Sequence, residues 1–230
     1  MNFLRPDWTA PNNIKAFFSD RRDGLSEPPY FSFNLASHVG DDPASVARNR
    51  ALLPVPNEPI WLEQAHTDVC INADLKALDR IGDASVTRNR GIVLAVMVAD
   101  CLPVMFSSFH GDVVGVSHAG WRGLANEVLA STVTALSSDS LLAWMGPAIG
   151  PCHYVVGQDV RARFSSGVGF VQLGRGKFSM NLYAIAEQQL RRMGVQVFGG
   201  GICTYCDASK FFSHRRDGVT GRMAGFIWRD

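Results

Sequence analysis

Two histidines and one cysteine stand beside breaks in apolar runs: Gln64-Ala65-His66, Ala99-Asp100-Cys101 and Ser117-His118-Ala119-Gly120-Trp121-Arg122-Gly123. Imidazole nitrogen and thiolate sulfur are zinc ligands, and three protein ligands leave a fourth position open. An open position separates a reactive metal from a structural one, so a converging trio of His66, Cys101 and His118 would make the chain an enzyme with one metal site. The same atoms serve a second chemistry. Cys101 as thiolate with His66 or His118 as base, oriented by Asp100 or Asp112, would make a cysteine hydrolase or transferase. Free cysteine is also among the most buried residue types, so ordinary packing is a third reading.

The stretch after His118 adds an anion site. The small pair Ala119-Gly120 turns the chain into a helix expected from Trp121 to Leu136. The first N–H groups of a helix attract anions, and glycine lets a ligand approach closely. Arg122 adds a guanidinium suited to phosphate, unless it merely faces solvent. Two further arginines lie in a short internal echo. Phe17 to Ser26 and Phe211 to Thr220 are identical at seven of ten positions, each holding Arg-Arg-Asp-Gly. The echo is too short for a repeat architecture. Either both turns present arginines, such as Arg22 and Arg215, to one anion, or both are arginine-rich surface turns. Cys203-Thr204-Tyr205-Cys206 has the gap of zinc and redox sites but no second pair, and nothing resembles the His-x-Glu element of the nucleobase deaminases. We read Cys206 as structural; Cys70 and Cys152, like His38, His110, His153 and His214, carry no distinguishing context.

Positioning these groups requires strands and helices in alternation. Asp42 can cap a helix with Pro43 at its first position, followed by Val46, Ala47, Arg50 and Leu53 at helical spacing. Ile92 to Val98 is an unbroken apolar run, the pattern of a strand buried on both faces. A second strand, Val113 to Val116, stops at Ser117-His118 and pairs with a neighbour through a hairpin around Ser107 to Gly111. A helix from Leu182 to Met193, closed by Gly194, precedes a strand from Val195 to Phe198. Interleaved strands and helices make the class α/β or α+β, and the absence of any low-complexity linker argues for one domain, residues 1–230.

Bulk composition narrows the partners. Hydrophobic residues make up 47% and charged residues 19% of 230, with a formal net charge of +1. Such a balance suits a compact globular chain and gives no electrostatic reason to bind nucleic acid or an anionic membrane. No apolar run reaches the length of a membrane span, and Met1 to Trp8 lacks the core of a secretory signal. Five cysteines do not suggest a disulfide framework, so the expected compartment is the cytoplasm.

Taken together, Gln64-Ala65-His66, Ala99 to Val104, His118 to Gly123, Gly146-Pro147-Ala148-Ile149-Gly150 and the tail from Phe211-Phe212-Ser213 through Gly221-Arg222 resemble the YfiH-like family. That family is also called the laccase-domain, polyphenol-oxidoreductase or purine nucleoside phosphorylase family. Asn34-Leu35, His38 to Pro43 and Asn49-Arg50 match it too, so the resemblance spans nearly the whole chain. It implies packed mixed β-sheets flanked by helices, similar to the catalytic domain of cytotoxic necrotizing factors. It implies metal ligation by His66, Cys101 and His118, with zinc expected and copper as the alternative. It adds Asn34 and Gln64 to Arg122, Arg215 and Arg22 as candidate substrate or phosphate contacts. The activities implied are phosphorolysis of adenosine, inosine, guanosine and methylthioadenosine, and deamination of adenosine; copper-dependent phenol oxidation and peptidoglycan-precursor editing are the alternatives. Where many members carry Thr-Arg-x-Gly-Gly near the start, this chain has Asp20-Arg21-Arg22-Asp23-Gly24. A multicopper oxidase needs many histidine ligands, mostly as His-x-His pairs; six histidines without one such pair exclude that site.

Overall fold

The structure is a computed structural model that describes residues 3–75 and 79–230. Met1 and Asn2, the start of the segment read as lacking a secretory core, lie outside the described residues. The first elements are β1 (Ile14–Phe18), α1 (Pro43–Ala51), β2 (Ile60–Trp61), β3 (Cys70–Asn72) and β4 (Ala84–Thr87). The apolar runs form β5 (Leu94–Val98), β6 (Leu102–Ser108) and β7 (Val114–Ala119). Helices α2 (Trp121–Ala125) and α3 (Val128–Leu136) lead to β8 (Leu141–Met145), β9 (Val155–Gly157) and α4 (Gln158–Arg161). Then come β10 (Phe170–Gly174), β11 (Lys177–Met180), α5 (Leu182–Arg192), β12 (Gln196–Gly199), α6 (His214–Asp217) and β13 (Met223–Arg229).

The strands form a four-stranded sheet ordered β1-β13-β5-β2, a six-stranded sheet ordered β12-β8-β6-β7-β4-β3 and a small sheet β10-β11-β9. Parallel pairs (β2 with β5, β3 with β4, β8 with β12) mix with antiparallel ones, giving a mixed α/β single domain. Side-chain alternation explains the layering. Along β5, Leu94, Val96 and Val98 point between the two large sheets, where they meet Met105, Val114, Val116 and Ile227. Ala95 and Met97 point the other way, onto Phe17, Phe33, Leu35 and Phe226. A strand buried on both faces needs an unbroken apolar sequence, and Ile92 to Val98 supplies it. Leu102, Val104 and Phe106 of β6 face the opposite layer, packed on Leu124, Val128, Leu129 and Leu190 of the helices.

Local signals explain the rest. Asp42 caps α1 by accepting from the N–H groups of Ala44 and Ser45. Gly111, at φ 68°, turns the expected β6–β7 hairpin, and Gly194, at φ 75°, follows α5. Two expectations need correction. The helix expected from Trp121 to Leu136 is two helices, because Glu127 adopts φ 67°, a left-handed conformation that an α-helix cannot pass through. The strand read as stopping before Ser117-His118 runs on to Ala119, so His118 projects from within β7.

Candidate metal centre

The trio converges. One donor atom from each of His66, Cys101 and His118 lies within 4.8 Å of the others. Cys101 Sγ is 3.9 Å from His66 Nε2, and the two imidazole rings sit 4.9 Å apart at 69°. Each side chain arrives by a different route. His118 stands on β7. Cys101 occupies the crossing where the chain leaves β5 in one large sheet and enters β6 in the other. His66 lies on the loop between β2 and β3.

Two acids set the backbone of this crossing and loop. Asp100 is buried at φ 90°, a conformation that aspartate tolerates better than most residues. Its Oδ1 accepts from Thr204 Oγ1 at 2.7 Å and its Oδ2 from the Arg215 N–H at 2.6 Å. His66 is also left-handed, at φ 60°. Its neighbours are tied to Asp83, whose Oδ2 accepts from Ala65 N–H, Thr67 N–H and Thr67 Oγ1. The other oxygen of Asp83 accepts from His118 Nδ1 at 2.7 Å, which leaves Nε2 as the ligand nitrogen. A carboxylate behind a histidine fixes its tautomer and raises its basicity.

The donor set fits a thiophilic metal. Burial alone would raise the Cys101 thiol, but His118 and His66 more than offset it and bring its pKa down to about 6. Burial would lower His118, yet Cys101 and Asp83 raise it to about 9. Asp83, despite its burial, is held down to about 2 by His118 and Thr67. The cysteine is therefore a thiolate near neutral pH, the form that binds metal, while a metal entering the site would displace the proton that the raised pKa keeps on His118 Nε2. Space is also reserved for sulfur: a Cβ at Gly120 would stand 2.8 Å from Cys101 Sγ and 3.4 Å from His66 Cδ2.

The three ligands line a cavity of about 330 Å³, bordered also by His38, Gln64, Met97, Arg122, His214 and Arg222. That volume is near the lower end of small-molecule sites. Arg122 is exposed at the start of α2, its guanidinium 4.4 Å from the Trp121 ring centroid. Gln64 lines the cavity, but its amide is spent on Met97, donating to the carbonyl and accepting from the N–H at 2.8 Å each. Arg215 approaches by its backbone only; its guanidinium donates to Val155 O and lies over Tyr154. Asn34 is fully buried, bonded to Ala36, Asp41 and the Arg222 N–H, so it acts through Arg222. Arg22 pairs with Asp20 and does not line the cavity.

The echoed turns are neighbours without being copies. Arg21 lies 4.5 Å from the Phe212 ring centroid and donates to Phe31 O, while Arg216 donates to Thr204 O, Tyr205 O and Phe211 O. Both guanidiniums donate to backbone carbonyls, and Arg216 also pairs with Asp217 at 2.7 Å. Sequence reasoning alone does not mark Asp83 or Arg222 as site residues. Asp83 carries no motif, only the position of a lone acid at the start of β4. Arg222 closed the Gly221-Arg222 motif, and burial lowers its pKa while Cys101 and Asp100 act against that.

The fold and site define a mixed α/β protein in which a candidate cysteine–histidine metal site lines a cavity of small-molecule size. Residues 15–230 match the family described as multi-copper polyphenol oxidoreductase laccase, and the chain belongs to that family. It is 44% identical to the purine nucleoside phosphorylase YfiH of Escherichia coli (strain K12), over 97% of each chain. It is 42% identical to the purine nucleoside phosphorylase of Haemophilus influenzae, over 99% of each. Among solved structures, the Neisseria meningitidis protein NMB0706 superposes with a TM-score of 0.92 at 43% identity, covering 100% of both chains. YlmD from Geobacillus stearothermophilus superposes with a TM-score of 0.90 at 31% identity, covering 100% of this chain and 96% of that one. Among the described residues, no helix is long and apolar enough to cross a membrane.

Proposed function

We propose that this protein is a zinc-dependent purine nucleoside phosphorylase acting on adenosine, inosine, guanosine and methylthioadenosine, with adenosine deamination as a second activity of the same cavity. The observation that carries the reading is the convergence of His66, Cys101 and His118 beneath a cavity whose border holds Arg122 and Arg222. The Escherichia coli and Haemophilus influenzae relatives, at 44% and 42% identity, carry the phosphorylase name.

In phosphorolysis an oxygen of inorganic phosphate bonds to the ribose C1′, and the glycosidic C1′–N9 bond breaks with its electron pair leaving on the purine. The chain's own groups divide this work. Arg122 binds and orients phosphate, its guanidinium presenting parallel N–H donors to two oxygens. Arg222 keeps a positive charge beside the developing anion, its Nη1 anchored on Thr220 O and Gly221 O. His214 donates Nδ1–H to Gly218 O at 2.7 Å, which leaves its Nε2 to exchange a proton with the base. His118, Cys101 and His66 would hold the zinc ion, which when bound supplies a Lewis acid for a substrate oxygen or nitrogen.

The test incubates zinc-loaded protein with adenosine, with and without phosphate, and follows adenine, inosine and ribose 1-phosphate. Ribose 1-phosphate that depends on phosphate supports the reading. No product above a Cys101→Ala control overturns it. A second reading rests on Asp83, His118 and Cys101, which stand in the order carboxylate, imidazole, thiol. A cysteine hydrolase acting on a cell-wall precursor would use that order, and activity that survives full chelation but not thiol alkylation would select it. The trio also accepts copper, so phenol oxidation after copper loading is expected chemistry of the ligands.

A further inference from the structure

The Cys203-x-x-Cys206 turn is not alone in space. Pro147 to Tyr154 runs beside it: Ala148 bridges to Cys203, and the Thr204 N–H donates to Ala148 O at 3.0 Å. This pairing brings Cys152 and His153 onto the two thiols. Cys152 Sγ lies 3.7 Å from Cys203 Sγ and 3.5 Å from Cys206 Sγ. His153 Nδ1 lies 3.3 Å from Cys152 Sγ and 3.4 Å from Cys206 Sγ. All four donor atoms fall within 4.8 Å of one another.

These separations are those of a filled coordination shell. Around tetrahedral zinc, with Zn–S of about 2.3 Å and Zn–N of about 2.0–2.1 Å, ligand sulfurs stand about 3.8 Å apart and sulfur and nitrogen about 3.5 Å apart. Three further features suit such a site. The Gly150 N–H donates to Cys203 Sγ at 3.2 Å. Gly150 also leaves room for sulfur, since a Cβ there would meet Cys152 Sγ and Cys203 Sγ at 3.3 Å each. The His153 imidazole stacks on Tyr205 at 4.0 Å and 14°, which fixes the plane of its ring.

We propose that Cys152, His153, Cys203 and Cys206 form a second, closed zinc site that fastens the 150–153 turn to the 203–206 turn. Four protein ligands leave no open position, so its role is structural. The clip reaches the first centre through Thr204, which lies between two of its ligands and donates to Asp100 Oδ1, the residue preceding Cys101. Arg216 reinforces the same turn through Thr204 O and Tyr205 O. The proposal is independent of the nucleoside reaction.

The test is metal analysis of the full chain purified anaerobically from zinc-supplemented cells. Two zinc equivalents per chain are expected, with X-ray absorption giving an average of two sulfur ligands per zinc. The Cys101→Ala/His66→Ala protein should retain one equivalent with three sulfurs and one nitrogen, and Cys152→Ser/Cys206→Ser should lose that ion and keep the other. Cobalt in place of zinc should show thiolate charge-transfer bands in Cys101→Ala/His66→Ala. One equivalent in the wild type with one sulfur per zinc would overturn the site. So would a mass lower by two hydrogens that maps to a disulfide among Cys152, Cys203 and Cys206.

Discussion

Replacing Asp83 by asparagine keeps the shape of the side chain and removes its charge, which isolates what the carboxylate does for His118. Asp83 has no exposed surface, and all four donors that meet its side chain are satisfied by two oxygens. An asparagine has one oxygen to offer. Turned toward His118, that oxygen keeps the ring's tautomer, but the amide N–H₂ then faces the N–H groups of Ala65 and Thr67. Both donors sit on a partly buried loop, so leaving them without an acceptor costs less than the about 1–3 kcal/mol each of fully buried groups. Turned toward the 65–67 loop, the oxygen preserves the loop, and the amide N–H₂ faces His118 Nδ1. The imidazole then accepts at Nδ1 and carries its proton on Nε2, the nitrogen needed for the metal. Loss of such an outer partner lowers metal affinity roughly 10–100-fold. Zinc competition against a fluorescent chelator at neutral pH, with melting of the metal-free protein in parallel, separates the two outcomes. Affinity within about twofold of wild type, together with an unchanged melting temperature, would refute the reasoning, because both orientations would then be free of cost.

Three further outcomes follow from single contacts. Gly120→Ala is tolerated by the backbone, at φ −67° and ψ 173°, but sets a methyl 2.8 Å from Cys101 Sγ; zinc affinity should fall more than about tenfold with little change in metal-free melting. Arg122→Ala should raise the phosphate KM roughly 10–100-fold, the worth of about 1.5–3 kcal/mol for a hydrogen bond to a charged group; steady-state kinetics with phosphate varied checks it. The Asp42 carboxylate sits below its ordinary pKa because Ser45 and Ala44 donate to it. Its stabilising effect is therefore present above the ordinary aspartate value of about 3.9 and lost as pH falls through the lowered one. Denaturation of wild type and Asp42→Ala should differ at neutral pH and converge in acid.

The elements that the sequence displayed are those governed by local rules. Asp42-Pro43 is a self-contained helix start, and Ile92 to Val98 needs only its apolar composition to be read as a doubly buried strand. The break at Glu127 escaped, because Trp121 to Leu136 has the helical pattern on both sides and glutamate rarely adopts φ 67°. The three candidate ligands are visible as residue types at strand breaks, and the structure brings their donor atoms together. Asp83 was not visible, since a single acid before a short strand has no pattern to mark it. The second cluster failed for a related reason. Cys203 and Cys206 are close in sequence, but Cys152 and His153 reach them only through the Ala148–Cys203 bridge, a long-range contact with no periodicity to announce it.

The route of each ligand has a consequence for stability as well as for chemistry. Cys101 belongs to the crossing between the two large sheets, His118 to the six-stranded sheet, and His66 to a loop that Gln64 pins to β5 of the four-stranded sheet. Neither sheet alone presents all three donors, so a metal held by them ties the two layers together. The unfolded chain has no such preformed set, and metal binding free energy then adds to folding free energy. Two residues of the site, the candidate ligand His66 and the supporting acid Asp100, are left-handed, a conformation that costs roughly 1–2 kcal/mol for an ordinary L-residue. The hydrogen bonds of Asp83 to Ala65 and Thr67, and of Thr204 and Arg215 to Asp100, offset that cost before any metal arrives. The geometry of the three candidate ligands is thus set by two buried acids outside the donor set. For that reason a charge-removing change at Asp83 or Asp100 should disturb the centre more than an equally drastic change at Arg22, which touches neither.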